Sequence, residues 1–99
     1  MSWNEMLILR LLIDNPGGLF GSDFLALSNG RLRRGSIYTM LARMVRKGYI
    51  KESHERAEAP HLTPRTRHHV SAAGYRAYKD RLEAHGLTEL KSTFSGTRA

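Results

Sequence analysis

The sequence predicts a mainly α-helical domain with one small β hairpin, in the order α-α-α-β-β-α, and three observations predict it. Apolar residues recur at helical spacing in four stretches, entered near Trp3, Phe24, Ile37 and Tyr75. Each stretch is closed by residues that stop helices: Pro16-Gly17-Gly18, Ser28-Asn29-Gly30, Gly48 and Gly86. Between the third and fourth stretches, Tyr49–Ser53 and Arg67–Ser71 read as short strands on either side of a polar loop over residues 54–67, which holds Pro60 and Pro64. At 99 residues the chain makes one domain. Residues 1–86 are expected to form it, and residues 87–99 to form a polar C-terminal tail.

Ser2-Trp3-Asn4-Glu5 has the spacing of a capping box, which predicts a first helix from about Trp3 to Asp14. That helix is apolar on two sides. Trp3, Leu7, Leu11 and Leu12 form one stripe, and Met6, Leu9 and Ile13 form another. One side serves the core; the other is left for the C-terminal helix or for a second subunit. Gly21-Ser22-Asp23 begins a short second helix through Phe24, Leu25 and Leu27. The third helix runs from Arg33 or Arg34 to about Lys47, with Ile37, Leu41, Met44 and Val45 on one face. Ser71 caps a fourth helix, Ala72 to Ala84, with Tyr75, Tyr78 and Leu82 on one face.

Charge is the strongest global signal. The net charge is +7, from 16 Lys and Arg against 9 Asp and Glu. The excess sits in the middle of the chain: Arg31, Arg33, Arg34, Arg43, Arg46, Lys47 and Lys51 follow one another with no acid among them. A focused positive block points to a polyanionic partner. There is no cysteine, which excludes a disulfide framework and cysteine zinc sites. The apolar run Met6–Ile13 contains Arg10, stops at Asp14 and is too short for a membrane span, so a cytoplasmic protein without membrane contact is expected.

A recognition helix meets DNA with the side opposite its core face. With Ile37 at the centre of the buried side, Ser36, Thr39, Arg43 and Arg46 point outward. Arg33 and Arg34 stand at the helix start. Arginine can bond guanine through two parallel hydrogen bonds, and Ser or Thr can bond a phosphate or a base edge. In the hairpin, Arg65 and Arg67 are the candidates for phosphate or minor-groove contact, ahead of Arg56, which shares its half of the loop with Glu52, Glu55 and Glu58. Tyr38 lies beside the core face. It either packs against the hairpin or offers its hydroxyl to a phosphate.

Gly35-Ser36-Ile37-Tyr38, then Leu41, then Gly48-Tyr49-Ile50, resembles the signature of the PadR-like winged helix-turn-helix transcriptional regulators. Phe20-Gly21 matches that family's aromatic-glycine pair before the second helix. Arg67 to Gly74 resembles its returning strand, with His68 where the family has Tyr; Thr39 stands where it has Pro. The resemblance covers about residues 5–82. It implies a dimeric repressor that binds pseudo-palindromic double-stranded DNA, with Tyr38 and the third helix near the duplex. The family's long C-terminal dimerisation arm is replaced by a short helix and tail. The expected homodimer interface therefore falls on Met6, Leu9 and Ile13 of the first helix with Tyr75, Tyr78 and Leu82 of the fourth.

No catalytic constellation stands out: there is no nucleophile elbow, phosphate-cradling glycine loop or acid pair. The chain is not expected to be an enzyme or to carry a cofactor, and no residue indicates a small-molecule effector. His61, His68 and His69 with Glu58 do not have the spacing of a metal site, so no metal is expected. The competing reading, from a different class, is a winged-helix adaptor whose basic helix meets an acidic protein or RNA.

Overall fold

The computed structural model of the protein describes residues 1–56, 59 and 64–84. Four helices and three strands follow in the order α1 (Trp3–Asp14), β1 (Leu19–Phe20), α2 (Gly21–Leu27), α3 (Arg34–Arg46), β2 (Ile50–Glu55), β3 (Arg65–Val70) and α4 (Ala72–Ala84). The strands form one antiparallel sheet in the order β1-β3-β2. The predicted order of helices and hairpin is present, with two differences. Leu19 and Phe20 add a third strand by pairing with His68 and Arg67. The hairpin is also longer than expected, because pairing continues outward to His54 with Thr66 and Glu55 with Arg65. Its tip, and the expected tail at 87–99, lie outside the described residues.

Local chemistry sets the helix ends. Ser2 Oγ accepts from the Glu5 amide at 3.1 Å while Glu5 Oε1 accepts from the Ser2 amide at 2.8 Å, completing the capping box of α1. Between α2 and α3, Asn29 and Gly30 take φ of 54° and 83°, and Ser28 Oγ accepts from the Leu32 amide at 3.0 Å. The end of α3 is a Schellman turn: Gly48, at φ 85°, donates to the Val45 carbonyl and Tyr49 donates to the Met44 carbonyl. Ser71 Oγ accepts from the Gly74 amide at 2.9 Å, which starts α4.

The core forms around α1, which packs against α2, α4 and β3. Ile8, Leu9, Leu12, Phe24, Ile37, Leu41 and Met44 are its largest fully buried side chains. Each stabilises the fold by roughly 1.5–3 kcal/mol through the apolar surface it removes from water.

This arrangement corrects the reading of α1. Met6 and Leu9 are buried in the chain's own core, Ile13 packs against it, and Tyr78 and Leu82 are buried under α4. They are not a free face. The outward stripe holds Trp3, 62% exposed, with Leu7 and Leu11 partly covered. The reason is Glu5. At 100° per residue it sits at the centre of the buried side, between Leu12 and Leu9, where a carboxylate ordinarily marks solvent. Here it is 5% exposed, bonded to the Ser2 amide and faced by Lys47 Nζ at 3.6 Å. Burial alone would raise its carboxyl pKa, but the Ser2 amide and the Lys47 charge outweigh burial and hold it below the usual value. The same contact ties the end of α3 to the start of α1.

Candidate nucleic-acid interface

Helix α3 stands on Ile37, Leu41 and Met44 and turns its other side to solvent. Arg33, Arg34, Ser36, Tyr38, Thr39, Arg43 and Arg46 are all exposed. Among the described residues, none of these arginines lies within ion-pairing distance of an acid. The helix therefore presents an uncompensated positive face, with free N–H groups at its start. The Tyr38 ring lies over Gly21 of α2, and the side chain stays 52% exposed. That seat exists because Gly21 has no side chain; a Cβ there would fall 2.4 Å from the Tyr38 ring.

The wing supplies a second basic element, and its two arginines differ. Arg65 is exposed and, among the described residues, in no ion pair, although Glu55 stands opposite it in the strand register. Arg67 is partly buried and bonded to Glu55, at 2.6 Å from Nε to Oε2 and 3.4 Å from Nη2 to Oε1. Arg67 holds the Glu55 carboxyl below its usual pKa, chiefly through that hydrogen bond, so the pair stays charged and mutually compensated. Both guanidinium groups stack on the Phe20 ring, with their carbons 3.6 Å and 4.1 Å from its centroid. Arg56 is exposed. The sequence reading missed Phe20 and Glu55 as members of this surface. Only the Phe20-Gly21 pair carried a signal, as a family match without a role.

Between α3 and the wing runs a groove of about 460 Å³, lined by Phe20, Gly21, Tyr38, Leu41, Glu52, Arg65 and His68 among others. Arg65 and Tyr38, predicted separately, thus meet on one groove. His68 forms part of its floor at 5% exposure, packed edge-on against Phe24. Its Nε2 lies 3.7 Å from the Glu52 carboxylate, and its Nδ1 has no partner in hydrogen-bonding geometry among the described residues. Burial pushes its pKa below 6.5, with the nearby Leu19 backbone and Glu52 pulling the other way.

Below about pH 6.5 the unfolded chain binds a proton that folded His68 refuses, so this residue's contribution to stability falls with pH until the folded group itself titrates. His68→Phe is expected to remove that part of the pH dependence. Melting curves taken at about pH 7 and about pH 5.5 measure it. An equal loss of stability on acidification in both proteins would contradict it.

Among the described residues, no three His, Cys, Asp or Glu side chains are grouped to share a metal ion. His61 and Glu58 lie outside the described residues. No described helix is long and apolar enough to cross a membrane.

A helix-turn-helix whose second helix packs one side on the core and leaves the other exposed, followed by a hairpin, defines a winged helix-turn-helix domain. Solved structures place it more narrowly. A PadR family transcription regulator from Clostridium difficile superposes with a TM-score of 0.71 at 18% identity, covering 94% of this chain and 98% of that one. A PadR family transcriptional regulator from Eggerthella lenta gives 0.68 at 17% identity, over 95% and 82% of the two chains. A transcriptional regulator from Clostridium thermocellum gives 0.66 at 22% identity, over 96% and 92%. This chain has the PadR-like winged-helix fold. No family model and no curated protein matches the chain.

Proposed function

We propose that the protein is a double-stranded DNA-binding transcriptional regulator, acting as a repressor, that reads the major groove with α3 and sets the wing along phosphates or into the minor groove. One observation carries this reading: the exposed, acid-free side of α3, with Arg34, Ser36, Thr39, Arg43 and Arg46 opposite Ile37, Leu41 and Met44. A helix presented in this way fits the major groove, and its arginines suit guanine edges and phosphates. The fold neighbours, which are described as transcription regulators, support the same reading. Selection of bound sequences from a random duplex pool tests it. The expected result is an enriched pseudo-palindrome. Recovery of a random pool at low salt would contradict sequence-specific binding.

A pseudo-palindromic site calls for two copies. We infer a homodimer that uses the outward stripe of α1, Trp3 with Leu7 and Leu11, together with the half-exposed Tyr75 of α4. A tryptophan 62% exposed on a helix otherwise spent on the core is a natural anchor for a partner surface. Trp3→Glu leaves every core contact intact and puts an acid in the first helical turn, where it is tolerated. It is expected to halve the mass seen by light scattering while the helical circular dichroism is kept. An unchanged mass would remove this interface.

A further inference from the structure

Phe20 sits where the short first strand meets the wing. In the sheet register it faces Arg67, and its ring carries the guanidinium groups of both Arg65 and Arg67. The two differ in what else holds them. Arg67 has Glu55 as an ion-pair partner at 2.6 Å, and Glu55 remains ionised beside it. Arg65 is opposite Glu55 in the strand register but forms no ion pair among the described residues; its guanidinium lies 3.6 Å from the ring centroid, and it lines the groove that Tyr38 also lines. The next residue, Gly21, is the one on which the Tyr38 ring lies. Two adjacent residues, one of β1 and one of α2, therefore seat side chains from both arms of the surface: Arg65 and Arg67 of the wing and Tyr38 of α3.

We propose that Phe20 is a positioning residue for DNA binding: its ring holds Arg65 at the groove beside α3, where Arg65 serves as a phosphate-binding cation of the wing, while Arg67, ion-paired to Glu55, braces the stack. The proposal rests on the reading of the α3 face as a duplex-binding surface. An unrestrained arginine loses several rotors when it meets a phosphate. Stacking on an aromatic face fixes much of that freedom beforehand, so less is lost on binding. Leucine at position 20 fills similar apolar space and keeps the strand, since the side chain that β1 commits to the core is Leu19. It has no π face with which to hold a guanidinium.

The test uses the full chain and a labelled mixed-sequence duplex at low salt. Phe20→Leu is expected to weaken binding about two- to fivefold, the range of an exposed cation–π contact, and Phe20→Tyr to restore it. In an Arg65→Ala background, Phe20→Leu is expected to cost nothing further. In the free protein, the Arg65 Cδ protons should show an upfield ring-current shift that Phe20→Leu abolishes; this readout needs no DNA and stands if the leucine variant folds poorly, because the wild-type shift alone decides it. The same loss from Phe20→Leu with and without Arg65 would overturn the positioning role, as would unshifted Arg65 protons in the wild type. A wild-type chain with no affinity for duplex would overturn the functional reading itself, and the two failures are told apart by the free-protein spectrum.

Discussion

Gly74→Ala is expected to destabilise the domain by roughly 1–3 kcal/mol or more, lowering its melting temperature by several degrees. In most helices the same change is stabilising, because alanine has the higher helix propensity. Here the added Cβ would stand 2.1 Å from the Tyr49 carbonyl oxygen and 3.0 Å from the carbonyl carbon. Neither partner has room to retreat. The Tyr49 carbonyl accepts from the Ser71 amide at 3.0 Å, and the Tyr49 amide is fixed to the Met44 carbonyl by the turn that ends α3. Helix α4 would have to lift, taking Tyr78 and Leu82 out of the core. Gly35→Ala is the matching control, since its Cβ meets nothing within 4 Å. It is expected to leave stability unchanged or to raise it by up to about 1 kcal/mol. A Gly74→Ala protein that melts at or above the wild-type temperature would contradict the close crossing of α4 over the α3–β2 junction.

The second large effect falls on the α3 face. Replacing Arg34 and Arg43 together by alanine is expected to weaken specific duplex binding by about a hundredfold or more, at roughly 1–3 kcal/mol for each base-reading contact. Both side chains are exposed and neither is in an ion pair among the described residues, so removing them breaks nothing in the fold. Melting should be unchanged within about 0.5 kcal/mol. A competition assay on the selected operator, with circular dichroism alongside, separates the two quantities. Wild-type affinity in the double variant would remove α3 from the interface.

Local signals made most of the fold legible in the sequence. The Ser2–Glu5 box, the Gly48 stop and the Ser71 cap each act within a few residues, and α1, α3 and α4 lie where those signals put them. Strand β1 was not legible: two residues have no periodicity, and Leu19 and Phe20 are strand only because His68 and Arg67 lie alongside. The outer half of the hairpin was hidden for a related reason. Its residues are polar, and what extends them is pairing across the sheet, including His54 with Thr66 and Glu55 with Arg67. Two apolar stripes on α1 gave no sign of which one faces inward, and Glu5, which is buried on the inward side, is kept charged under cover by Lys47, which only the fold brings close. On the candidate interface, helical geometry was enough to find the outward arginines of α3. The unequal standing of Arg65 and Arg67 depends on Glu55 and Phe20, which approach from other strands.

The salt dependence of duplex affinity tests most directly whether the α3 face and the wing meet phosphates. If Arg33, Arg34, Arg43, Arg46 and Arg65 each neutralise a phosphate, the logarithm of the binding constant should fall linearly with the logarithm of salt concentration, with a slope of about −4.5 per protomer, reduced by about one unit for each of these arginines that is neutralised. A slope near zero, or one that the arginine substitutions leave unmoved, would contradict the assignment of this surface to DNA.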